Sequence, residues 1–341
     1  MLFYVLIMVL VFGVLIFIHE LGHFMTARAC GVHVKEFAIG MGPTIFSWNS
    51  KKHGTKYGLR LLPIGGFVSM TGEDEESDDP GAFCNKSVPR RMGIVVAGAA
   101  MNLLLGFLLM MVLVFSQGNL ASNVIGRFDE NAISSAKLEV YDEIVKVGNV
   151  RVHTWEETVY EIMNQGYEPV DVTVVRNGER LTVEDVSFGT MEESGAVFGN
   201  CDFIPFAEER SFGNLMKHTF FRSTSTVKMV YDSLIGMFTG RFGLEAVSGP
   251  VGVAEVVGDA AKASMQQFLY IVAVLSINLG VFNLIPFPAL DGGRFLFLMI
   301  EGIRRKPIDR NVEGYINFVG IILLFALMIF VTCKDILKLI V

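Results

Sequence analysis

Charged residues are scarce in this chain: Asp, Glu, Lys and Arg make up only 18% of its 341 residues, and 52% are hydrophobic. A soluble domain carries about a quarter charged residues, so a wholly solvated globule is excluded. Positive charge is shorter still, with 28 Lys and Arg against 35 Asp and Glu and a net charge of -7. This balance argues against a nucleic-acid surface, which would need a basic patch, and no nucleic acid is expected as a partner. The four cysteines, Cys30, Cys84, Cys201 and Cys333, show no CxxC or paired spacing, which argues against a disulfide framework and a sulfur-based zinc site. The start, MLFYV, lacks a basic segment, and the apolar run after it ends in HELGH instead of a small-residue cleavage site, so a signal peptide fits poorly.

What is present is long hydrophobic blocks. The first has no charge from Met1 to Ile18 and continues helically to about Ala27. Three more lie at Met92–Ser116, Met265–Phe287 and Ile316–Thr332. Each is long enough to cross about 30 Å of hydrocarbon at about 1.5 Å per residue. The expected fold is a polytopic α-helical membrane protein with about four transmembrane helices, a membrane-associated β hairpin or sheet and one extracytoplasmic α+β domain. The expected order is a first span over 1–27, a cytoplasmic-side β region and acidic linker over 28–91, and a second span over 92–116. An α+β module follows over 119–190 and an amphipathic-helix region over 191–263. A third span over 264–293, a cytoplasmic loop over 294–314 and a fourth span over 315–333 complete it.

Lys and Arg near span ends are retained in the cytoplasm. Arg28, Lys35, Lys51, Lys52, Lys86, Arg90 and Arg91 lie between spans one and two, and Arg294, Arg304, Arg305, Lys306 and Arg310 between three and four. Both connections are therefore expected inside, and residues 117–264 and both termini outside, in a multi-pass protein of the cytoplasmic (inner) membrane.

Between the first two spans, VHVKEFAIGMGPTIFSW and TKYGLRLLPIGGFVSM read as extended runs about a turn at Asn49–Gly54. Such a hairpin beside HELGH is expected to dip toward the membrane, against helices or a water-filled cavity, because open edges cannot face lipid. GEDEESDDP reads as a flexible solvated linker. Farther on, DEIVKVGNVRV, TWEETVYEIMNQ and VDVTVVRNGERLTVEDV, with Asn177–Gly178 as a hairpin turn, describe a compact α+β module. NLMKHTFFRSTSTVKMVYDSLIGMF has helical apolar spacing but retains Lys217, Arg222, Lys228 and Asp232, so it is expected to lie on the outer membrane surface.

The chemistry concentrates at His19–Glu20–Leu21–Gly22–His23. Residues four apart share a helix face, so both imidazoles can grip one metal ion while Glu20 reaches water beside it, the HExxH pattern of zinc hydrolases. Ionisable residues inside an apolar helix are functional by default, although polar helix packing would also use them. Catalytic zinc takes three protein ligands. The third candidate is Asp291, within NLIPFPALDGGR, where Pro286 and Pro288 break the helix. An Asp in an ordinary turn before Gly292–Gly293 is the competing reading.

HExxH in a first span and NxxPxPALDG at the end of a later one resemble the site-2 proteases, intramembrane zinc metalloproteases of regulated intramembrane proteolysis. Gly98–Ala99–Ala100–Met101–Asn102 is similar to that family's GxxxN motif, and Ser248–Gly249–Pro250–Val251–Gly252 also matches. LEVYDEIVKVGNVRV looks like a PDZ run that usually reads GLKVGDEIVKVNG, with Val140–Tyr141 in place of Val–Gly and Gly148–Asn149 reversed. The resemblance implies one zinc ion per chain held by His19, His23 and Asp291, with Glu20 as general base. It supports Asn278 and Asn283 as holders of the substrate strand or the oxyanion, which helix packing would explain equally well. It implies single-span membrane proteins as substrates, among them anti-sigma factors, membrane regulators and remnant signal peptides. An upstream site-1 protease acting on the same substrate is the expected partner. A scaffold with a decayed site would have no need of Glu20, and a zinc transporter would spread its polar residues along several spans.

Overall fold

The computed structural model describes residues 2–51, 54–73, 75–193, 195–243 and 247–340. The chain forms two compact units, one from Met1–Leu109 with Ser248–Val341 and the other from Met110–Val247. The first unit begins with α1 (Leu2–Ala29), whose unbroken apolar run leaves lipid as its only comfortable solvent. It stops where Gly31 turns left-handed at φ 70°. Strands β1 (Val34–Asn49) and β2 (Lys56–Met70) then pair antiparallel, with Phe37 opposite Val68 and Ile39 opposite Gly66. Far from its base the hairpin exposes Met41, Ile45, Phe46, Trp48, Leu61 and Leu62, an apolar surface unsuited to water. Part of the Asn49–Gly54 turn, Lys52 and His53, lies outside the described residues, as does Asp74 of the acidic stretch. That stretch is pinned where a solvated linker was expected: Glu73 accepts from Arg294 at 2.6 Å, and Asp79 accepts from the Gly81 amide and meets His33, both at 2.7 Å. Helix α2 (Val88–Ser116) follows.

The second unit contains β3 (Leu120–Phe128), β4 (Glu143–Val147), β5 (Val150–Arg151), α3 (Trp155–Gln165), β6 (Val170–Arg176) and β7 (Glu179–Val186). β8 (Gly189–Glu193), β9 (Ala196–Asn200), β10 (Phe203–Glu208) and α4 (Phe212–Phe238) complete it. The main sheet runs β10-β3-β4-β6-β7, with β5 beside β4. Alternate residues of these strands, including Ile125, Ile144, Val172, Val174 and Phe203, meet Ile162 of α3 in one core. Asn177 and Gly178 both have positive φ, as the β6–β7 hairpin turn requires. Tyr141, where the resembling run has glycine, is held left-handed at φ 75° and stacks on Phe206 at 5.2 Å. On α4, His218 is buried and meets Glu208 at 2.6 Å and Glu156 at 3.6 Å.

Returning to the first unit, α5 (Pro250–Ala263), α6 (Met265–Leu284), α7 (Asp291–Arg304) and α8 (Arg310–Ile340) end the chain. Among the described residues four helices are long and apolar enough to span a membrane: α1, α2, α6 and Arg310–Lys338 of α8. Ala27, Val34, Met70, Ile94, Val95 and Leu298 form a core that ties the end of α1 to the hairpin base, α2 and α7. A second core joins Val11 and Leu15 of α1 to Val257 of α5, with Leu105, Phe268 and Leu275 around it.

Three boundaries differ from the expectations. The sheet of the α+β module takes in β10, beyond residue 190, because the short run FIPFAE finds its partner only at β3, far back in the chain. The third apolar helix ends at Leu284, not at residue 293, since Pro286 and Pro288 cannot continue it. Within the expected loop 294–314 the chain is helical to Arg304, because Phe295, Leu298 and Ile94 pack together and give α7 an apolar seat.

Candidate metal centre

The two histidines of HExxH stand one helical turn apart on α1, and their rings meet edge to face with centroids 4.8 Å apart. His19 is buried, and the Nε2 atoms of His19 and His23 are 3.1 Å from each other. The α6–α7 connection brings in the third group. After Pro286 and Pro288 the backbone turns through Ala289, at φ 70°, and α7 starts on Asp291. Its Oδ2 lies 3.0 Å from His19 Nε2 and 3.3 Å from His23 Nε2.

These three atoms could hold a metal ion. Tetrahedral zinc with bonds of about 2.0–2.1 Å separates its ligand atoms by roughly 3.3 Å, close to the triangle seen here. The ring tautomers agree. His23 Nδ1 is 2.8 Å from the Ile94 carbonyl, which can only accept, so Nδ1 carries the hydrogen and Nε2 keeps its lone pair. His19 Nδ1 faces the side-chain amide of Asn102 at 3.3 Å. Asn102 is fully buried, and its Oδ1 has no hydrogen-bond partner. Turning the amide so that Oδ1 accepts from His19 Nδ1 satisfies that oxygen and frees Nε2 for a metal. Ser276 of α6 anchors the same residue by donating to the Asn102 carbonyl at 2.7 Å.

Room for the rings depends on Gly98 of α2. A Cβ there would lie 2.6 Å from His23 Cε1 and 2.8 Å from His19 Cε1, and closer still to His23 Nε2. Gly66 of β2 does the same for Glu20, since a Cβ would sit 2.6 Å from Glu20 Cγ. Glu20, His23, Asp291, Glu73 and Arg294 line a cavity of about 180 Å³ beside the centre. The Glu73–Arg294 pair ties the segment after the hairpin to the first turn of α7, one turn from Asp291.

His19, Glu20, His23 and Asp291 are thus neighbours. Asn278 and Asn283 lie half-buried on α6, and neither side chain finds a hydrogen-bond partner among the described residues. In the sequence Asn102 and Gly98 stand out only through a motif resemblance. The usable signal was a lone amide in the apolar block Met92–Ser116, where a polar side chain needs a partner.

The chain is similar to known zinc metalloproteases. The family model of peptidase family M50 matches residues 7–327. A Clostridium acetobutylicum protein, by name a zinc metalloprotease, is 40% identical over 339 residues, covering 98% of this chain and 97% of its own. Zinc metalloprotease RasP of Shouchella clausii is 32% identical over 416 residues, with 96% and 97% covered. Regulator of sigma-W protease RasP of Bacillus subtilis is 30% identical over 418 residues, with 97% of each chain covered. Zinc is the cofactor that these relatives indicate. With four helices apolar enough to span a membrane, a histidine and carboxylate cluster, and similarity running nearly end to end, the chain belongs to peptidase family M50, the site-2 proteases, and is an intramembrane zinc metalloprotease.

Proposed function

We propose that His19, His23 and Asp291 hold one zinc ion per chain and that Glu20 is the general base for hydrolysis of a peptide bond within the membrane. The observation that carries this is the convergence of three ligand atoms, from α1 and from the start of α7, all within 4.8 Å of one another. Bound zinc supplies Lewis-acid chemistry, acidifying water and polarising a carbonyl. Glu20 lines the same cavity as His23 and Asp291, and its carboxylate takes the proton from the attacking water. The Asn278 and Asn283 amides, with no partner of their own, hold the substrate strand or the carbonyl oxygen as charge develops on it.

The substrates are transmembrane segments of single-span proteins: anti-sigma factors, other membrane regulators or remnant signal peptides. The printed name of the Bacillus subtilis relative, a regulator of sigma-W protease, supports the regulator class. A helix has all its amides bonded internally and must unwind before it is cut, and the outer edge of the β1–β2 hairpin offers backbone groups to the opened strand. The distribution of Lys and Arg supports a protein of the cytoplasmic membrane with its basic loops inside. Residues 119–190 act as an extracytoplasmic PDZ-like module. With α4 on the outer surface, this module admits stubs already shortened by an upstream protease and refuses longer substrates.

The test is Glu20→Gln in the full chain, with zinc content and cleavage of a single-span substrate measured side by side. Zinc is expected to stay and cleavage to vanish, because the base is not a ligand. Near wild-type cleavage would overturn the assignment.

A further inference from the structure

The unit Met110–Val247 is acidic overall, with 20 Asp and Glu against 11 Lys and Arg. Its positive charge is nonetheless gathered. Lys146, Arg151, Arg180 and Lys217 all line one concavity of about 520 Å³ on the face of its sheet, with Glu143 as the acid among the lining residues.

Strand register builds the cluster. Lys146 of β4 is directly opposite Arg151 of β5 on one side and Thr173 of β6 on the other, and Thr173 is opposite Thr182 of β7. Residues directly opposite share a face, so Arg151, Lys146, Thr173 and Thr182 form one row across four strands. Arg180, two residues before Thr182, is on the same face of β7. Two like charges placed opposite each other destabilise a sheet. Among the described residues Lys146, Arg151 and Arg180 make no ion pair, while Lys217 is held by Glu208 at 3.3 Å and Glu143, opposite Val175, is on the same face. The row ends in paired hydroxyls, Thr173 Oγ1 and Thr182 Oγ1 at 3.2 Å, which can donate to a further anionic oxygen.

We propose that this face binds an acidic peptide segment, with carboxylates spaced along an extended chain. The span selects this ligand. Three strand spacings of about 4.8 Å spread the row over roughly 14 Å, too wide for one phosphate and suited to several carboxylates in succession. The face is concave, which fits a chain better than the plane of a lipid surface.

The test uses the full chain in an uncharged detergent and a labelled peptide of alternating Glu and Ser, read by fluorescence anisotropy. The peptide is expected to bind, more weakly as salt rises, and its Gln counterpart is not. Arg151→Ser with Arg180→Ser should lose about tenfold in affinity, the product of two exposed ion pairs. Arg127→Ser, an exposed β3 cation outside the concavity, should lose nothing. Zinc content and circular dichroism establish that each variant is folded, and if the double variant is not, Arg151→Ser alone and the salt dependence decide. Equal binding of the Gln peptide, wild-type affinity in the folded variants, displacement by inorganic phosphate at matched ionic strength, or binding of phosphatidylglycerol vesicles in place of the peptide would each overturn the proposal.

Discussion

Gly98→Ala adds one methyl group and tests the geometry of the metal centre directly. The new Cβ would lie 2.6 Å from His23 Cε1 and 2.8 Å from His19 Cε1. Carbon atoms settle at about 3.5 Å or more, so the rings must retreat by roughly 1 Å. Metal sites tolerate about 0.2 Å in their bonds, so the shift is several times what coordination allows. Disturbing the groups that hold a metal ligand in place lowers metal affinity by about 10–100-fold, and this methyl group displaces two ligands at once, so at least the upper end of that range is expected. Stability without metal moves differently. Alanine is favoured over glycine inside a helix by about 1 kcal/mol, which offsets part of the overpacking cost of about 1–3 kcal/mol. The assay is zinc competition against a chelator, with thermal unfolding of the metal-free protein beside it. Gly93→Ala, on the same helix with nothing within 4 Å of its added Cβ, is the control and should keep wild-type affinity. Wild-type zinc affinity in Gly98→Ala would refute the packing argument and the assignment of both rings to the metal.

Asp291→Ala should lower zinc content along with cleavage, since its Oδ2 is one of the three converging atoms; full zinc occupancy with cleavage lost would reduce Asp291 to positioning substrate. Asn102→Ala removes the group that faces His19 Nδ1 and should weaken zinc by about 10–100-fold while the protein stays folded, as chelator competition would report. In the second unit, Glu156 and Glu208 hold the His218 pKa above its usual value despite burial, with Arg222 also packed against Glu156. A raised histidine pKa stabilises the fold fully below about pH 6.5 and loses that contribution as pH climbs through the folded value. His218→Gln should therefore cost about 1.5–3 kcal/mol near pH 6, with a penalty that shrinks toward pH 9 in thermal unfolding; a penalty constant across that range would refute the charged pairing.

The sequence by itself determined those features that depend on near neighbours. Apolar runs long enough for lipid mark the spanning helices, and alternation marks the strands. The i to i+4 spacing of His19 and His23 places both on one face of α1 before any folding is known, because helix geometry is local. Asp291 was legible as a lone acid after two prolines, yet nothing local says that it returns to a helix more than 250 residues earlier in the chain. Tertiary structure decided that, through the core that seats α7 against α2 and the end of α1. It also decided what Gly98 and Asn102 are for, since a glycine and an amide in an apolar helix acquire meaning only from the rings that pack on them. The row Arg151, Lys146, Thr173 and Thr182 is of the same kind. These residues are scattered in sequence, and only strand register sets them side by side, because a shift of one position would turn each side chain to the other face of the sheet.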